Sequence, residues 1–303
     1  MTLIVLLYAL FASSFSMGKI LLRYTTPSFL LGSRMLIGGL ILLAYQHLSP
    51  NQRFKIKKRH WWLFAQIVLF GIYFNYMLRF WALSNENLSS SKTCFLYNLS
   101  PFMSAIYSYF FFNEKITRKK LMGLIIGFLG FIPILLTTST KEQFLGEIAF
   151  ISLPEFAVIV SVALHAYSWV VMRKLIRDKD YAPTMVNGLT MAVGGVLGLI
   201  TSLFTSGLFP VKNAVQFSGW LAAVIIISNI ICFNLYGHLL KRYSVTFLSF
   251  AGFLAPLFAA LYGWGFLGET ITWHFYASSA LVFVGLYIFY KEEIKKTEEA
   301  EVG

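Results

Sequence analysis

Apolar side chains run in blocks along nearly the whole chain, each block about the 20 residues that an α-helix needs to cross the hydrocarbon core of a bilayer. Ten blocks are found, at roughly residues 3–22, 27–47, 61–82, 90–112, 120–137, 152–173, 183–204, 219–238, 244–266 and 272–290. The 303 residues are 57% hydrophobic and 13% charged, with a mean hydropathy of +0.69. Soluble domains carry about a quarter charged residues, so a soluble single-core protein is excluded. Ten spans leave only short connections, punctuated by Ser49-Pro50-Asn51, Asn85-Glu86-Asn87, Asp178 to Pro183 and Phe209-Pro210. The expected fold is an all-α membrane protein of ten transmembrane helices.

The basic residues orient it. One alternating set of connections holds Arg53, Lys55, Lys57, Lys58, Arg59, Lys115, Arg118, Lys119, Lys120, Arg173, Lys174, Arg177, Lys179, Lys241, Arg242, Lys291, Lys295 and Lys296. The other holds only Arg23, Lys92, Lys141 and Lys212. Lys and Arg near span ends are retained in the cytoplasm, so both termini are expected there, which requires an even number of spans. The formal net charge of +12 is therefore an orientation signal and does not point to nucleic acid. The first block lacks the basic start of a cleaved signal peptide and is read as a retained helix. Cys94 and Cys232 sit in apolar stretches without metal-ligand spacing, so neither a disulfide framework nor a zinc site is expected.

The chain also repeats itself. Leu99 to Thr117 lies over Leu254 to Thr272 with eight identities in 19 positions, among them Pro101/Pro256, Tyr107/Tyr262 and Glu114/Glu269. Pro27, Gly32, Met35, Gly38 and Gly39 recur as Pro183, Gly188, Met191, Gly194 and Gly195, and Ala9, Leu10, Ala12 and Ser14 as Ala163, Leu164, Ala166 and Ser168. The offsets stay between 154 and 156. Five helices per unit is an odd number, so the second unit crosses the membrane in the opposite sense to the first. The expected division is residues 1–140 and 141–291 as inverted repeats, with 292–303 as a charged cytoplasmic tail. Inverted repeats suit a carrier in which one half rocks against the other around a central site.

These residues resemble the drug/metabolite transporter superfamily and, within it, the ten-span EamA-type permeases. The shared pattern is a proline in the fourth helix, a glutamate at its end and a glycine-bearing fifth helix. Here these are Pro101, Glu114 and Gly123, Gly127, Gly130, and in the second copy Pro256, Glu269 and Gly285, with Ser278 and Val282 in place of two glycines. The stretches LLYALFASSFSMGKILLRYTTP and SSSKTCFLYNLSPF are further similar to the S-adenosylmethionine/S-adenosylhomocysteine transporters of obligate intracellular bacteria. The resemblance implies a multi-pass protein of a bacterial inner membrane that takes up the methyl donor in exchange for its demethylated product. An amino-acid or drug-like metabolite exporter is the alternative within the family.

Few polar residues lie inside spans, where charge is costly and usually faces the bundle interior or a watery cavity. Lys19 and Arg34 stand within two turns of the outer ends of their helices, in reach of headgroups. Glu155 begins the sixth span, either as a complement to the helix N-terminus or as a carboxylate for a substrate cation or a proton. Glu114 and Glu269 are read as anchors at helix ends. The resemblance implies that helices 1, 3, 4, 6, 8 and 9 line a central cavity, which selects Ser14, Asn75, Arg79, Tyr97, Asn98, Tyr167, Trp169, Asn229 and Asn234. Amides supply donors and acceptors without charge. Phe15, Tyr167 and Trp169 offer faces for stacking and for a sulfonium.

Other chemistry is not indicated. Gly123-x3-Gly127-x2-Gly130 lies in an apolar span, where it permits close helix approach. No phosphate-binding loop, Gly-x-Ser-x-Gly or paired-His motif occurs, and His165, His238 and His274 are read as packing or interface residues. No cofactor, metal or catalytic residue is expected. The partners are a small-molecule substrate and the lipid bilayer, with monomer and homodimer both open.

Overall fold

The computed structural model describes residues 2–48, 56–84, 96–114, 116–138, 153–267 and 273–302, and every regular element among them is helical. In chain order these are α1 (Thr2–Leu21), α2 (Pro27–Leu48), α3 (Lys58–Ser84), α4 (Ser100–Phe112), α5 (Arg118–Thr138), α6 (Leu153–Asp178), α7 (Pro183–Thr205), α8 (Ala214–Leu239), α9 (Val245–Ala251), α10 (Leu254–Leu267) and α11 (Trp273–Val302). Six of them, α1, α2, α3, α6, α7 and α8, are long and apolar enough to cross a membrane. Helices satisfy their backbone polar groups internally, which hydrocarbon demands. Helix α11 continues through the charged residues 292–302, so that segment extends the last apolar block as helix.

Local sequence explains the ends. Pro101 sits in the first turn of α4, where its missing N–H costs nothing, and Asn113 closes the helix in a left-handed conformation. Pro183 opens α7 in the same manner. Helices α3 and α8 each contain an eight-residue π-helical stretch, Ile67–Phe74 and Ile225–Cys232, and such stretches are concentrated at functional sites.

Two glycine seams bring the repeated motifs face to face. In the α2–α7 seam a Cβ added to Gly32 would lie 2.6 Å from the Leu199 backbone nitrogen, and one on Gly39 would lie 2.8 Å from the Gly188 carbonyl oxygen. In the α5–α11 seam a Cβ on Gly123 would lie 2.8 Å from the Gly285 oxygen, and one on Gly285 2.6 Å from that of Gly123. Only glycine allows backbones this close, and close approach is what drives helices together where water exclusion gives no drive. The interior between the seams is filled by aliphatic and aromatic side chains drawn from α1 to α11.

Ion pairs close one end of the bundle. Arg173 of α6 donates to Glu114, just beyond α4, at 2.6 Å and lies 4.2 Å over the Phe112 ring. Lys120 of α5 pairs with Glu293 of α11, and Glu293 also accepts from the Ser244 backbone N–H at 2.7 Å. The anchoring expected of Glu114 is thus visible as a helix-to-helix ion pair. Glu269 and Cys94 lie outside the described residues.

Candidate functional site

A cavity opens among α1, α2, α3, α4, α6, α8, α9 and α10, with about 890 Å³ of atom-free space, solvent at its opening included. Its walls divide by chemistry. Tyr8, Phe11, Trp169, Phe233 and Tyr236 form an aromatic side; Arg34, Arg79, Asn98, Ser100, Ser228 and His165 supply the polar groups.

The aromatic side is rigid. The Trp169 indole N–H donates to His165 Nε2 at 2.9 Å, and the indole ring packs on Tyr236 with centroids 3.9 Å apart and on Phe233 at 5.6 Å. The Tyr8 hydroxyl donates to the Leu248 carbonyl. These bonds fix ring orientation, so the rings offer preformed faces at small entropic cost.

The cationic side is built around Tyr76. The Arg79 guanidinium lies 4.1 Å from the Tyr76 ring centre and Arg34 lies 5.5 Å from it. Arg34 is 2% exposed. Its Nε donates to Asn229 Oδ1 and its Nη2 to Ser228 Oγ, both at 2.7 Å. Both acceptors belong to the π-helical stretch of α8, whose wider turn sets these consecutive side chains toward one partner. Arg34 therefore does not extend to headgroups as its position near a span end suggested: burial and two cross-helix hydrogen bonds hold it inside. Lys19 is exposed.

Five of the residues selected from sequence line this cavity: Ser14, Arg79, Tyr97, Asn98 and Trp169. Asn98 is 4% exposed and its Nδ2 is buried without a hydrogen-bond partner among the described residues. Asn75 and Asn229 stand one layer behind. Asn75 Nδ2 donates to the Gly71 carbonyl at 2.9 Å and stands 3.2 Å from His165 Nδ1, while its Oδ1 accepts from Ser161 at 2.7 Å. Asn229 carries Arg34.

Three others point elsewhere. The Tyr167 hydroxyl donates to Gln66 Oε1 at 2.8 Å and its ring sits edge-on to Phe70, Tyr107 and Phe111. At 3.6 residues per turn, positions 167 and 169 cannot share one helix face. Asn234 donates to the Ile230 carbonyl at 2.7 Å and accepts from Asn187 at 3.2 Å, outside the cavity lining. Glu155 is buried in the first turn of α6, also away from the lining. The Phe15 side chain lies outside the described residues.

Sequence reasoning passes over Arg34, His165, Tyr76 and Tyr236 as cavity residues. The available signal for Arg34 is the charge itself inside an apolar block, and for His165 its spacing of four from Trp169, which stacks the two along one helix face. Among the described residues no cluster of His, Cys, Asp and Glu is suited to a metal ion.

A model of the EamA-like transporter family matches residues 1–136 and again 152–291. The chain is 34% identical over 291 residues, 95% of it and 90% of the relative, to the S-adenosylmethionine/S-adenosylhomocysteine transporter of Chlamydia muridarum. It is 33% identical, over 95% of its length and 88% of the relative, to the protein of the same name from Chlamydia trachomatis. A crystal structure shares the fold with a TM-score of 0.71 at 20% identity, covering 97% of this chain and 96% of its own.

Proposed function

Because the chain belongs to the EamA-like transporter family, we propose that it is a secondary carrier of a bacterial inner membrane that takes up S-adenosylmethionine in exchange for S-adenosylhomocysteine. The observation that carries this reading is the cavity, lined from both halves of the chain, with an aromatic side for a flat base and a polar side for an amino-acid end. Near-full-length similarity to transporters named for these two compounds supports the choice of substrate.

The architecture follows from the same premise. Counted with α9 and α10 as one span, the helices make ten crossings in two inverted halves, residues 1–140 and 141–291, with both termini in the cytoplasm. The excess of Lys and Arg in alternate connections supports this orientation. It sets the Arg173–Glu114 and Lys120–Glu293 pairs at the cytoplasmic end, and alternating access opens the cavity to one side at a time. The chain performs transport without a chemical step.

Ser14, Arg79, Tyr97, Asn98 and Trp169 contact substrate in this reading, and Asn75 and Asn229 position their neighbours. Purified protein in vesicles loaded with S-adenosylhomocysteine should accumulate labelled S-adenosylmethionine, and unloaded vesicles should not. Equal uptake with and without internal S-adenosylhomocysteine would overturn exchange, and no uptake in either would overturn the substrate.

A further inference from the structure

We infer that Arg34 is the carboxylate anchor of the site, gripping the α-carboxylate of an amino-acid end while the rest of the ligand lies along the Trp169 and Tyr236 side. The inference rests on the adenosyl reading above for the ligand, but on its own geometry for the residue.

Two cations, Arg34 and Arg79, face the cavity and no Asp or Glu is among the described residues that line it. Both lie within 5.5 Å of the centre of one ring, Tyr76, so their guanidinium carbons are no more than about 10 Å apart. Like charges this close in a low-dielectric interior raise one another's cost. An anion between them removes that cost, whereas a purely cationic ligand would add to it.

Arg34 is the better-prepared of the two. A guanidinium has five donors in a planar fork. Asn229 takes Nε and Ser228 takes one hydrogen of Nη2, both neutral acceptors that fix the plane without neutralising the charge. Nη1 makes no hydrogen bond with the described residues. The free edge of the fork, Nη1 with the second hydrogen of Nη2, is the edge that binds a carboxylate in two parallel hydrogen bonds. Pinning from α8 holds it ready, so little side-chain entropy is lost when the anion arrives.

The same geometry assigns the opposite end of a charged ligand. With no acid in the described lining, a sulfonium or ammonium centre is met by ring faces, and a ligand without its carboxylate leaves the open edge of the Arg34 fork unfilled. Selection therefore falls on the carboxylate more than on the sulfonium, which suits a carrier of two compounds that differ only at sulfur.

Binding of S-adenosylmethionine and of its decarboxylated analogue to the purified full chain tests this, using wild type, Arg34→Gln and Arg34→Lys. Loss of one partner of a buried, hydrogen-bonded charge pair corresponds to about 30-fold or more. Wild type should bind the decarboxylated compound weaker by that factor. Arg34→Gln should lose S-adenosylmethionine by the same factor yet bind both compounds alike, with Arg34→Lys in between. If Arg34→Gln folds poorly, Asn229→Ala, which leaves the guanidinium but removes a pin, should show a smaller loss of the same discrimination.

Equal weakening of both compounds in these variants, or no discrimination in wild type, would overturn the assignment. So would tight, Arg34-dependent binding of adenosine monophosphate, which would make the anion a phosphate. If wild type binds neither adenosyl compound, the adenosyl reading falls and the assignment is decided by thermal stabilisation with free amino acids and their amides. Stabilisation that needs the carboxylate and vanishes in Arg34→Gln would uphold it, and its absence would overturn it.

Discussion

The two glycine seams and the cavity are built from the same internal repeat, yet they treat it in opposite ways. In the α2–α7 seam equivalent residues do equivalent work: Gly32 meets Leu199 as its counterpart Gly188 meets Leu43, and Gly39 meets Ala192 as its counterpart Gly195 meets Leu36. At the cavity, matched positions diverge. Arg34 stands in register with Thr190, whose hydroxyl bonds to its own helix at the Val186 carbonyl. His165 stands in register with Phe11, and both line the cavity. Backbone contact tolerates one residue type and so preserves the repeat, whereas an asymmetric ligand needs different groups on its two sides. The scaffold is therefore read from what the halves share and the chemistry from what they do not.

The largest effect should come from breaking a seam. Gly39→Val or Gly285→Val places branched carbons where the opposing backbone already stands, and neither helix can yield without moving its half. A loss of about 3 kcal/mol or more is expected, seen as loss of folded protein in detergent. Normal yield and melting temperature for either variant would mean that the seams are not the scaffold.

Next come the two amides of α8, which separate cavity chemistry from helix packing. Asn229→Ala removes one of the two hydrogen bonds that hold a buried cation, so transport at low substrate should fall roughly 10-fold, less than for Arg34→Gln. Asn234→Ala loses only neutral bonds outside the cavity, about 1 kcal/mol of stability, with KM unchanged. Transport assays on both variants at matched expression measure the contrast, and equal effects would erase it. On α6, Trp169→Leu removes the pinned ring face and should weaken substrate binding about 10-fold. Tyr167→Phe, two positions away, should change it by less than about twofold.

The seams are far more legible in the amino-acid order than the cavity is. The apolar blocks match the helices closely: 27–47 against Pro27–Leu48, 183–204 against Pro183–Thr205. The glycines that form the seams stand out as Gly39 and Gly195, each the second of a Gly-Gly pair, and as Gly123 with Gly285. What a single sequence withholds is helical phase. Tyr167 and Trp169 look alike in an apolar block, and only packing shows that one faces Gln66 and the other the cavity. Arg34 fails to declare itself for a related reason, because distance from a span end does not say whether a long side chain turns outward or reaches across to Asn229. The π-helical stretches add to this, since they shift the phase of Ser228 and Asn229 away from a regular helix.

The smallest expected effect lies at the end of the α5–α11 seam, where Lys120 and Glu293 pair beyond the apolar block. Both are buried, at 8% and 6% exposure, so this pair extends the seam with charge where glycine contact stops. Burial pushes the Glu293 carboxyl up, but the Lys120 ammonium and the hydrogen bonds from Ser244 outweigh it and hold the group below its ordinary value of 4.5. A carboxylate depressed in the folded state adds stability above its unfolded value, and the gain is lost as pH falls through the folded one. Glu293→Gln should therefore lower the melting temperature at pH 7, and the difference from wild type should shrink as pH is taken below about 4.5 toward the folded value. Glu114→Gln, whose carboxylate is one-third exposed beside Arg173, should cost less than Glu293→Gln because solvent screens the pair. A pH-independent gap for Glu293→Gln would show that its carboxylate acts through shape alone, and would leave the glycine contacts as what holds that seam closed.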